Sequence, residues 1–223
     1  MTPRELIATA QVPGGAELRL FRRSGDFMIV LDRNELMSTR MSGSEEALAT
    51  MTIARLNTRP APHLLIGGYG MGFTLRAALA QLDASAQVSV VEIVPEIIEW
   101  ARGPMADLAA GCLDDSRVTL IRGDVAEAIA RGAGRYDAIL LDVDNGPDGL
   151  SRDANDRLYS SRGLATSRAA LRPGGVLAIW SAAPDKAFAR RLADAGFAVE
   201  EVAVRVRSNG KGPQHVIWFG TRR

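Results

Sequence analysis

The chain has 223 residues, 47% of them hydrophobic, which suffices for one large domain, or a domain with a small appendage, around a sizeable core. Lys+Arg 27 against Asp+Glu 26 leaves a formal charge of +1, with no basic stretch suited to nucleic acid and no acidic tail. Cys112 is the single cysteine and the two histidines, His63 and His215, show no ligand spacing, so intramolecular disulfides are excluded and no metal site is expected.

In chain order, the opening MTPRELIATAQVPGG lacks the apolar core of a signal peptide, and no later apolar run approaches a bilayer span. A cytoplasmic protein without a membrane partner is expected. Residues 1–60 read as a β-hairpin and a connecting helix. Glu17–Arg22 and Phe27–Leu31 are strand patterns joined at Ser24-Gly25-Asp26, a hairpin signal. Ser44 is the expected N-cap of a helix running through about Leu56, and Asn57 to Pro62 is a linker.

Residues 61–223 read as a second unit in which strands and helices alternate. Strands are expected at Leu64–Ile66, Val88–Glu92, Val118–Arg122, Ala138–Asp142 and Val176–Trp180. Helices are expected at Thr74–Leu82, Pro95–Leu108, Val125–Arg131, Ser161–Leu171 and Asp185–Ala195. Such alternation implies a mostly parallel sheet covered on both faces. The last two apolar stretches, Ala198–Val206 and Val216–Gly220, are too close for a crossover helix and must form an antiparallel hairpin. The expected fold class is therefore α/β: a Rossmann-like methyltransferase fold with a seven-stranded sheet, its last strand antiparallel, and a small N-terminal hairpin.

The stretch LLIGGYGMGFTLR carries the strongest functional signal. A buried strand turns through Gly67, Gly68, Tyr69, Gly70 and Gly72 into a helix, where the backbone must approach a ligand closely. Glu92 stands twenty residues past Gly72, at a second strand end, where a carboxylate can accept from both hydroxyls of a ribose; Ile93 follows it. At the third strand end come Gly123, Asp124 and Val125. Asp124 can accept from an exocyclic amine such as the N6 of adenine, or cap the helix that follows, or both. Asp142 ends the fourth strand and points into the crevice, where it can take a proton from an attacking nucleophile. Asp144 sits beyond it on a Gly/Pro loop, with backbone turn capping as the competing role. Tyr69 is placed to flank the ligand, and Trp180 and Trp218 to pack in the core.

These segments together resemble the spermidine synthases and their relatives. LMSTRMSGSEEALATM is similar to the family's segment before the first helix and LLIGGYGMGFTLRAAL to its glycine loop. VVEIVPEII and RVTLIRGDVAEAI resemble its ribose and adenine strand ends, and YDAILLDV resembles its catalytic strand. The resemblance implies aminopropyl transfer from decarboxylated S-adenosylmethionine to a small amine. Glu92 would hold the ribose hydroxyls and Asp124 the adenine, Asp142 would assist deprotonation of the attacking amine, and the second catalytic-loop aspartate, which grips the diamine, is either displaced to Asp144 or replaced by Asn145. It also implies a homodimer associating through the N-terminal hairpins. The departures are equally specific. Met71 stands where the family has an aspartate in its glycine loop, Asp142-Val143-Asp144-Asn145-Gly146 replaces Asp-Ser-Ser-Asp-Pro, and Ala49 and Thr50 fall nearest its Tyr-Gln pair. A doubly charged diamine needs several carboxylates to offset desolvation, so the acceptor half of the site differs more than the nucleoside half. Two alternatives stay open: a small-molecule methyltransferase using S-adenosylmethionine, and a non-catalytic nucleoside-binding or oligomeric protein.

Overall fold

The computed structural model describes residues 3–57, 59–143, 157–206 and 212–223. The first four strands, β1 (Glu5–Gln11), β2 (Glu17–Arg23), β3 (Asp26–Leu31) and β4 (Asn34–Ser38), form an antiparallel sheet in sequence order. The expected hairpin is its centre, and the two outer strands were not anticipated. Both are edge strands that bury one residue each, Ala10 and Ser38, so neither carries the alternating apolar pattern that betrays a half-buried strand.

Helix α1 (Gly43–Ala54) follows, with Ser42, not Ser44, in the N-cap position. Ser42 Oγ donates to Glu46 Oε1 at 2.7 Å, while Ser44 is fully enclosed two residues further on, within the first turn. The second sheet contains β5 (His63–Gly67), β6 (Gln87–Glu92), β7 (Val118–Arg122), β8 (Tyr136–Leu141), β9 (Leu171–Ser181), β10 (Phe197–Arg205) and β11 (Gln214–Arg222). Its spatial order is β10-β11-β9-β8-β5-β6-β7. The pairs among β5 to β9 are parallel, whereas β11 runs antiparallel to both β9 and β10. The expected seven strands and reversed last strand are thus observed.

The helices are α2 (Phe73–Leu79), α3 (Pro95–Arg102), α4 (Ala106–Ala109), α5 (Val125–Ala130), α6 (Ser161–Ala170) and α7 (Lys186–Asp194). The helix expected to run from Pro95 to Leu108 is broken. Pro104 lacks an N–H and its ring collides with the preceding turn, so α3 stops at Arg102 and α4 restarts beyond it. Every residue of β5 and β8 is buried, as central parallel strands require. Successive residues point to opposite faces. Ile66 and Leu140 enter a core shared with α1 to α4 and the N-terminal sheet, whereas Leu65 and Ile139 enter one with α5 to α7. No helix among the described residues is long and apolar enough to cross a membrane.

Candidate active site

A cavity of about 160 Å³ opens at the carboxyl ends of β5, β6, β7 and β8, where open α/β sheets present their ligand crevice. One wall is the glycine turn and the strand ends. The other comes from the N-terminal sheet: Val12, Leu18, Ile29, Leu36 and Met37 form an apolar cover. The strand tips thus supply polar groups beneath a dry roof.

The glycine turn is shaped by close approach. Gly68 has φ +84, and a Cβ there would lie 2.5 Å from the Asp142 carbonyl oxygen. Gly70 has φ +55, and a Cβ there would press on Met37 Cε at 2.8 Å. Both therefore line the cavity as bare backbone. Gly67 and Gly72 act differently. Gly67 makes room for Val125 Cγ2, and Gly72 for the Tyr69 ring, so they serve packing behind the turn.

Glu92, 5% exposed, lies on the cavity wall at the end of β6. Its Oε2 accepts from the Tyr69 N–H and its Oε1 from the Val94 N–H, each at 2.9 Å. Burial pushes its pKa up, and the backbone N–H groups of Val94, Tyr69, Ile93 and Gly70 act against that. These backbone donors aim the carboxylate before any ligand arrives. Asp124 lines the same wall and its Oδ1 caps α5 through the Ala126 N–H at 2.8 Å. Its second oxygen leaves the two anticipated roles compatible. Ile93, Gly123 and Val125 also line the cavity.

Tyr69 corrects the reading made from its position. Its side chain turns away from the cavity into the core, 4% exposed, with its hydroxyl 3.5 Å from Cys112 Sγ. Burial raises its pKa further. Only its backbone N–H serves the site, through Glu92. Trp180 packs in the core as expected and also lines the cavity; its indole Nε1 is buried without a hydrogen-bond partner among the described residues.

Asp142 lines the cavity directly beyond β8 and accepts from Thr74 Oγ1 at 2.8 Å. Burial raises its pKa to about 6, opposed by the Thr74 hydroxyl. Facing it in the cavity is Glu45 of α1, 5% exposed, whose pKa rises to about 8 through burial first and the Asp142 charge second. With Glu45 raised to about 8 and Asp142 to about 6, the pair carries one proton at neutral pH. Glu45 was not anticipated, although its signal is visible. It shares one helical face with the buried Leu48, Ala49 and Thr52, a charged residue on an apolar stripe. Ala49 and Thr50, nearest the family's polar pair in sequence register, do not line the cavity; Glu45 does. Asp144 lies outside the described residues. Among the described residues no group of three or more His, Cys, Asp or Glu could hold a metal ion.

The spermine/spermidine synthase domain model matches residues 42–187, from the start of α1 to the start of α7. The chain is 31% identical over 204 residues to a polyamine aminopropyltransferase of Mycobacterium tuberculosis, covering 87% of this chain and 37% of that protein. It is 38% identical over 119 residues to a putrescine N-methyltransferase of Nicotiana tabacum, covering 53% of this chain and 29% of that one. This chain therefore spans well under half the length of either relative. The crystal structure of spermidine synthase from Thermotoga maritima superposes with a TM-score of 0.77 at 21% identity, covering 98% of this chain and 73% of that one, a likeness of fold. With strand order, strand-end carboxylates and a family match across most of the nucleotide-fold unit in agreement, the chain belongs to the spermine/spermidine synthase family.

Proposed function

We propose that this protein transfers an aminopropyl group from decarboxylated S-adenosylmethionine to a small amine. The observation that carries the reading is the charge of the cavity: Glu45, Glu92, Asp124 and Asp142 line it, and no Lys or Arg does among the described residues. The full cofactor brings a carboxylate that calls for a cationic or N–H partner. The decarboxylated form brings only cationic groups, which suit an acidic pocket. The relatives named above act on polyamines, which agrees in substrate class.

In this reading Glu92 accepts from both ribose hydroxyls and Asp124 from the adenine amine, with Gly68, Gly70, Ile93, Gly123 and Val125 as the surrounding wall. The apolar cover excludes water, which strengthens every charge interaction beneath it. Asp142 takes a proton from the acceptor ammonium and leaves its nitrogen lone pair free to attack in line with sulfur. The sulfonium supplies the electrophilic carbon and the leaving group. Asp144 keeps the second acidic role that the family resemblance implies. A homodimer is part of the same proposal, and light scattering after gel filtration measures it.

The test is a paired assay with decarboxylated and full S-adenosylmethionine, each against a panel of diamines and monoamines. Release of methylthioadenosine with the decarboxylated form is the expected result. Release of S-adenosylhomocysteine from the full cofactor would mark a methyltransferase instead, and absence of both products would leave a nucleoside-binding protein.

A further inference from the structure

Ser44 sits at 0% exposure on the first turn of α1, with a titratable group on each side of its hydroxyl. Its Oγ lies 2.6 Å from Glu45 Oε2 and 3.0 Å from His215 Nδ1, on a strand 171 residues away in sequence. The Gly43 N–H donates to the Val206 carbonyl at 2.9 Å, so the start of α1 is pinned against the C-terminal hairpin that carries His215. A row of polar groups therefore runs from Asp142 and Glu45 in the cavity, through Ser44, to the half-buried imidazole of His215.

A hydroxyl has one proton to give, so the row has two arrangements. In one, Glu45 is ionised, Ser44 donates to it, and His215 donates Nδ1–H to Ser44. In the other, Glu45 carries a proton and donates to Ser44, which donates to an unprotonated Nδ1. On passing from the second to the first the carboxylate loses its proton and the imidazole proton moves from Nε2 to Nδ1, so the row as a whole gives up one proton. Glu45 is faced by Asp142 beyond β8, Thr74 of α2 and Glu46 on its own helix. His215 is faced by Ser44 of α1 and by the Trp180 ring of β9, centroids 4.6 Å apart and nearly perpendicular. No cation among the described residues hydrogen-bonds to Glu45, so nothing fixed locks the row in one arrangement.

We propose that Ser44 and His215 are positioning residues that carry the acceptor's proton out of the covered cavity. The proposal deepens the transferase reading and rests on it. The acceptor ammonium loses an N–H proton to the Asp142 carboxylate, and its lone pair forms the C–N bond as the C–S electron pair passes to sulfur. With Asp142 protonated, Glu45 gives its own proton to Ser44 Oγ, the Ser44 proton passes to His215 Nδ1, and Nε2–H leaves to solvent in the same step, so the imidazolium that burial of His215 disfavours need not accumulate. Asp142 then passes its proton to Glu45. One proton enters the row and one leaves, no oxidant or further reactant is needed, and water-assisted return of the imidazole proton from Nδ1 to Nε2 with rotation of the Ser44 hydroxyl restores the starting arrangement. Without this exit, a proton delivered under an apolar roof stays beside the reacting centre and protonates the next acceptor.

The test begins on the full chain without substrate, where the two histidines make nitrogen-15 imidazole spectra readily assignable. The expected result is that His215 Nδ1 changes from acceptor to N–H over the same pH interval in which the carbon-13 signal of Glu45 ionises, and that Ser44→Ala separates the two events. A His215 that keeps one tautomer throughout the Glu45 titration would overturn the proposal, whether or not any variant folds. In turnover, with putrescine as the probe acceptor, Ser44→Ala and His215→Gln should lower kcat about tenfold or more, leave KM for the nucleoside co-substrate unchanged and shift the pH profile. His63→Gln, at the opposite end of the strands, is the control and should shift none of these. Wild-type protein that turns over no amine would count against the transferase reading, and the tautomer measurement would then decide the relay by itself.

Discussion

At the scale of single residues, the two ends of the cavity are governed by different uses of a carboxylate. Glu92 is held by two backbone N–H groups, so its geometry is set before binding. An amide in its place would turn an NH₂ against one of those donors. Glu92→Gln should therefore weaken methylthioadenosine binding by at least tenfold in calorimetry, since each charge-assisted hydrogen bond lost is worth about 1.5–3 kcal/mol. Unchanged affinity would remove Glu92 from the nucleoside site. Asp142 is held by one hydroxyl and burial, which leaves it basic enough to take a proton near neutrality. Turnover should rise with pH across about 6, the raised pKa of Asp142, because only the ionised carboxylate can accept. Asp142→Asn should reduce kcat by about 100-fold or more while methylthioadenosine binding persists; an active variant would refute the role.

At the scale of elements, local chemistry was read well where the pattern is periodic and poorly where it is short. The strands β5 to β8 are dense apolar runs and fell within a residue or two of their observed bounds at most ends. Edge strands β1 and β4 bury too little to leave a pattern. The break after α3 was visible in Gly103-Pro104 and follows from the missing N–H of proline. The glycine turn was legible as a close-approach loop, but the direction of Tyr69 was not. Its side chain is steered inward by the space Gly72 leaves beside it, a contact between neighbours in a turn rather than a repeat along the chain. Gly68→Ala tests the turn as an element. A Cβ at φ +84 and 2.5 Å from the Asp142 carbonyl forces both loops apart, so thermal unfolding should show a loss of about 1–3 kcal/mol and methylthioadenosine affinity should fall. Full stability and affinity would mean that the turn tolerates a side chain.

At the scale of the whole molecule, the two sheets and α1 meet over one cavity and trap a carboxyl pair there. Glu45 and Asp142 both have raised pKa values, so the folded chain holds protons that the unfolded chain releases. Their stabilising effect is complete in acid, below the ordinary carboxylate range. It is lost as pH rises, from 3.8 to about 6 for Asp142 and from 4.5 to about 8 for Glu45. Wild-type Tm should therefore fall across that window. Glu45→Gln should flatten the fall and raise Tm at pH 8, by about 2–4 °C for each kcal/mol recovered; a variant with an unchanged slope would show that Glu45 is ionised throughout. The alternation of strand and helix, the reversed final strand and the spacing from the glycine turn to Glu92 were all determined by sequence alone, because each depends on periodicity or on neighbours within one βαβ unit. The meeting of Glu45 with Asp142, the contact of Ser44 with His215 and the apolar roof from the first sheet were decided only by tertiary structure. These contacts join residues far apart in the chain. They depend on which strands lie side by side and how α1 is rotated against them, and no local pattern encodes either.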